Sequence, residues 1–107
     1  MNVTDRFINY VKIHTTSDPQ SKTVPSTGRQ RDLARFLADE MKAIGISDVF
    51  ISDTGYVYGN IPTVSGYEKA PAIGFIAHMD TSPDFSGQNV NPQVIPDYDG
   101  GDVILGN

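Results

Sequence analysis

A chain of 107 residues with 38% hydrophobic residues and a formal charge of −5 can form one domain and is too short for two ordinary ones. The acidic balance leaves no basic stripe to displace counterions from phosphate, which argues against nucleic acid and anionic membrane surfaces as partners. Cysteine is absent, which excludes a disulfide framework and thiolate zinc sites. The amino terminus has neither a basic nor an apolar signal region, and no apolar run approaches the ~20 residues of a membrane span, so a soluble cytoplasmic protein is expected.

In chain order, Val3, Phe7, Tyr10 and Val11 fall at helical spacing and predict a helix from Val3 to Ile13, with Thr4 or Asp5 as its cap. His14 follows, where an imidazole suits a helix carboxyl end and has no partner at metal-binding spacing. Thr15 to Pro25 is polar and aperiodic, a surface loop. A second helix is predicted from Thr27 to Ile44. Thr27 and Gln30 form a candidate capping box, Leu33, Phe36, Leu37, Met41 and Ile44 form the apolar face, and Gly45 is the left-handed terminator. The charges between them read as a solvated face.

Val49 to Ser52 and Tyr56 to Ile61 predict two strands of a hairpin around Asp53-Thr54-Gly55. Their tyrosines are read as packing residues. After the loop from Pro62 to Pro71, Ala72 to Ala77 is a short, nearly uniform apolar run, the pattern of a strand buried on both faces. Gly74 within it suggests a close neighbour. Beyond Asp84 the chain becomes loop-like, with short apolar pieces at Val94-Ile95 and Val103 to Leu105 as possible small strands.

The chemistry concentrates where the apolar run ends, at His78-Met79-Asp80-Thr81-Ser82-Pro83-Asp84. In open α/β sheets, catalytic groups collect at the carboxyl ends of strands. Residues two apart on an extended backbone point the same way, so Asp80 can hold the imidazole of His78, fix its tautomer and raise its basicity. The bland alternative is a strand-end histidine bonded to a local carboxylate for structural reasons. Aspartate is about a tenth of the chain, so spacing alone leaves both readings open. Asp84 is most simply a turn residue. Gly100-Gly101 lacks the context of a phosphate-cradling loop, and Thr81 and Ser82 form no nucleophile elbow.

Val24-Pro25-Ser26-Thr27, the helix running to Gly45, the stretch from Pro71 to Asp84, Gly87 to Pro92 and Gly100-Gly101-Asp102 together resemble the peptidase T family of aminotripeptidases, within the dizinc aminopeptidase/carboxypeptidase group. The resemblance spans essentially the whole chain. It implies the amino-terminal part of an α/β/α three-layer zinc-peptidase catalytic domain on a mixed sheet, with residues 1–107 a partial catalytic domain. The rest of that domain and a lid or dimerisation domain would lie elsewhere. It implies two zinc ions in the full-length enzyme, with His78 as a zinc ligand and Asp80 as the residue orienting it. The bridging aspartate, the Glu-Glu pair and the remaining ligands are placed beyond residue 107.

The implied activity is release of the N-terminal residue from tripeptides by zinc-activated water, in a possible homo-oligomer. The 107-residue chain alone is expected to hold no zinc stably and to be inactive. A related dizinc carboxypeptidase or deacylase would share the His-x-Asp. A non-catalytic α/β binding module is the reading from another class.

Overall fold

The computed structural model describes residues 1–105. Its regular elements are α1 (Val3–Val11), α2 (Gln30–Ala43), β1 (Ser47–Ile51) and β2 (Val57–Asn60), a mixed α/β content. The two strands form one antiparallel hairpin, and α2 packs across both of them. Among the described residues no helix is long and apolar enough to cross a membrane.

α1 is capped two residues before Thr4 and three before Asp5, its expected caps. Asn2 is the cap residue: its side chain accepts from the Asp5 N–H at 2.8 Å, while Asp5 reaches back to the Asn2 N–H. This reciprocal pair satisfies two donors that the first helical turn would leave open. α1 meets α2 through Tyr10, whose ring lies edge-on to Phe36 at 5.9 Å and whose hydroxyl donates to Glu40. Burial, followed by the neighbouring Glu40 carboxylate, pushes the Tyr10 phenol above its ordinary pKa.

The capping box expected at Thr27 is not formed. α2 begins at Gln30, and Arg29 caps it with no side-chain hydrogen bond. The Thr27 hydroxyl donates instead to the Thr16 carbonyl at 3.1 Å, and the Gln30 amide donates to Ser26. The Gln30 N–H that the Thr27 hydroxyl would have accepted goes to the Thr27 backbone carbonyl at 3.3 Å. The carboxyl end follows the sequence closely. Gly45, at φ +88°, donates to the Lys42 carbonyl and Ile46 to the Met41 carbonyl, a Schellman closure. The innermost face of α2 is Leu33, Ala34 and Ala38. The two alanines lie outside the apolar face that the periodicity predicts.

The hairpin turn falls at Ser52 to Tyr56, where the Gly55 N–H donates to the Ser52 carbonyl at 2.9 Å and Gly55 adopts φ +90°. The register pairs Ser47 with Asn60 and Phe50 with Tyr58, so Asp48 and Val49 stand opposite the single Gly59. This is a β-bulge, with Asp48 in the left-handed region at φ 52°. Gly59 permits it: a Cβ there would lie 2.4 Å from Met41 Cε and 2.6 Å from Ile46 Cγ2. Phe50 and Tyr58 stack across the strands at 4.9 Å, the packing role expected of the hairpin tyrosines.

The third strand does not form. Ala72 to Ala77 carries no sheet pairing and is exposed, with Phe75 at 95% and Ile76 at 100% relative accessibility. The apolar pieces at Val94-Ile95 and Val103 to Leu105 are likewise unpaired. A strand apolar on both sides is stable only between two covering layers, and these residues do not supply them. The dimensions agree. The radius of gyration is 17.3 Å, against about 13 Å for a compact chain of this length. The accessible surface is 8865 Å², against roughly 5,800 Å².

Candidate functional site

The chain from residue 71 to 80 runs without regular structure until it is caught at Thr81. There Thr81 and Thr16 form an isolated parallel bridge. The Ser17 N–H donates to the Thr81 carbonyl at 3.0 Å, and the Thr81 N–H donates to the Thr15 carbonyl at 3.3 Å. Two open cavities, of about 670 and 730 Å³, flank the segment, and Leu37 of α2 and residues 77–80 line both.

His78 and Asp80 are brought together as the spacing implies. His78 Nδ1 stands 2.8 Å from the Asp80 carbonyl oxygen and 3.3 Å from its Oδ1. A carbonyl and an ionised carboxylate only accept, so Nδ1 carries the proton in this geometry. In the neutral ring the lone pair then belongs to Nε2, the nitrogen Asp80 does not engage. The His78 side chain is 86% exposed and that of Asp80 43%. Such a pair fits one metal ligand and the group that orients it. Among the described residues, no cluster of three or more His, Cys, Asp or Glu side chains converges to hold a metal.

His14 and Asp84 take structural positions. His14 Nε2 lies 3.1 Å from the Thr16 hydroxyl. Asp84 accepts from the Ser82 hydroxyl at 2.7 Å within its turn. What the sequence left invisible is Thr16 itself. It is 7% exposed, beside Thr15 at 3%, and meets His14, Thr81 and the Gly87 N–H with one hydroxyl. Two of these contacts span 65 and 71 residues, and no local periodicity signals a contact of that range.

No family model matches the chain. Among curated proteins it is similar to peptidase T of Geobacillus kaustophilus, 55% identical over 101 residues that cover 94% of this chain and 24% of the relative. Peptidase T of Clostridium acetobutylicum is 54% identical over 104 residues, 96% of this chain and 25% of the relative. Peptidase T of Desulfitobacterium hafniense is 54% identical over 104 residues, with 97% and 25% covered. The chain spans about a quarter of the length of these relatives. Over nearly all of its own length, it is by sequence a relative of peptidase T.

Proposed function

We propose that His78 and Asp80 form one arm of the dizinc centre of an aminotripeptidase, and that this chain is an amino-terminal part of its α/β/α catalytic domain. The observation that carries the reading is the His78–Asp80 contact, which presents Nε2 from an exposed ring. The similarity to peptidase T over almost the whole chain supports it. His78 contributes its Nε2 lone pair. Asp80 holds Nδ1–H, fixing the tautomer and the ring's orientation, so that little reorganisation accompanies metal binding. Zinc held there would supply Lewis-acid activation of water and of the scissile carbonyl. The remaining ligands and the general base belong to other segments of the cytoplasmic enzyme. The 107-residue chain alone, with one ligand where three or four are typical, is inactive in this reading.

The test uses the full-length protein. His78→Ala loses zinc and tripeptide turnover together. Asp80→Asn keeps the fold and loses about 10- to 100-fold in metal affinity or activity. Wild-type zinc content and turnover in His78→Ala would sink the proposal.

A further inference from the structure

The His78–Asp80 arm is tethered close to its chemistry on one side only. Residues 71–80 have no regular structure, whereas Thr81, immediately after Asp80, is bonded to Thr15 and Ser17 through its backbone. The Ser17 hydroxyl adds a third bond to the Thr81 carbonyl at 3.1 Å. The position of this anchor depends on Thr16. Its carbonyl accepts from the Thr27 hydroxyl at 3.1 Å and Arg29 Nε at 2.9 Å, which ties it to the chain entering α2. Its hydroxyl lies 3.3 Å from Thr81 Oγ1 and 3.1 Å from His14 Nε2, and accepts from the Gly87 N–H at 3.0 Å. One proton and two lone pairs are matched by three partners, so the hydroxyl has no spare capacity.

Resting on the reading of His78 as a metal ligand, we propose that Thr16 is a positioning residue that sets the aim of the His78–Asp80 arm through its contact with Thr81. A ligand is effective only when supporting groups hold it to within about 0.5 Å of productive geometry, and the buried Thr16 joins the arm's fixed end to the flank of α1 through its hydroxyl and to the chain entering α2 through its carbonyl. Gly87 belongs to the same device. A Cβ there would fall 2.7 Å from the Thr16 hydroxyl and 3.1 Å from that of Thr81. The close approach of residue 87 therefore requires glycine.

The experiment compares Thr16→Val, Thr16→Ser, Gly87→Ala and His78→Ala in the full-length protein. Zinc affinity is measured by competition with a chromophoric chelator, and kcat and KM with a tripeptide. Thr16→Val keeps the branched shape but removes the hydroxyl, and is expected to weaken zinc binding by about tenfold or more and to lower kcat more than KM. Gly87→Ala, which disturbs the same hydroxyls from the opposite side, should do likewise. Thr16→Ser should restore zinc affinity, because the hydroxyl and not the methyl is required.

Wild-type zinc affinity in Thr16→Val, or a loss in Thr16→Ser equal to that in Thr16→Val, overturns the proposal. If Thr16→Val fails to fold, Gly87→Ala decides: retained wild-type affinity overturns the proposal and a loss supports it. Undiminished zinc binding in His78→Ala instead removes the underlying reading. Loss in His78→Ala with none in the Thr16 and Gly87 variants removes only this proposal.

Discussion

Residues 30–60 and residues 61–105 differ in what they bury: the buried hydrophobic residues of the described chain all lie in the first stretch. In the first stretch α2 packs on the hairpin, Leu33, Ala34 and Ala38 are buried, and the ends are satisfied by a Schellman closure and a glycine turn. In the second, Ile73, Phe75, Ile76, Phe85, Ile104 and Leu105 stand exposed, and the stretch is held to the rest around Thr16. The contrast is one of contact range. A helix and the hairpin following it find their partners within about thirty residues, so closure costs little entropy. An apolar strand of the buried type has to recruit cover from distant segments.

The largest effect expected within the closed region comes from Leu33→Ala, which deletes the bulkiest buried side chain. Such truncations cost about 2 to 5 kcal/mol. The low end applies because Leu33 also borders an open cavity into which neighbours can relax. Urea unfolding followed by the helical circular dichroism signal measures it, and an unchanged midpoint would deny that this region is the stable one. Gly59→Ala should cost about 1 to 3 kcal/mol, the range for overpacking. The flexible end of Met41 can yield, but the branched Ile46 has less freedom to do so. The same titration tests it.

A smaller effect belongs to Tyr10, whose phenol is held above its usual pKa of roughly 10 by burial and by Glu40. A raised folded value means that its contribution is fully present below the unfolded pKa and is lost as pH rises through the folded one. The α1–α2 contact should therefore weaken only at strongly alkaline pH. Absorbance titration of the wild type against Tyr10→Phe reads this, and a phenol ionising below the ordinary value would refute it.

The smallest effect is expected at Ile76→Ser. The side chain is fully exposed in this chain, so the change should stay within about 0.5 kcal/mol. In the full-length protein, where the proposed layers would cover it, the same substitution should be clearly destabilising. Equal effects in both contexts would remove the contrast between the two regions.

Local patterning determined much of this protein. The periodicity of α2, Gly45 at its end, the Asp53-Thr54-Gly55 turn and the hairpin all depend on residues close in sequence, and their boundaries were readable to within a few positions. The His78–Asp80 contact was legible for the same reason, since two residues on extended chain share a side. The capping of both helices was less so. Asn2 displaced Thr4 and Asp5 within one turn, and α2 began at Gln30, leaving Thr27 outside the cap with its hydroxyl on the Thr16 carbonyl. Only tertiary structure decided the rest: the buried faces of Ala34 and Ala38, the bridge from Thr16 to Thr81, and the unpaired state of Ala72 to Ala77. An apolar run states that a segment is suited to burial on both faces. Whether it is buried depends on layers that the run itself does not encode.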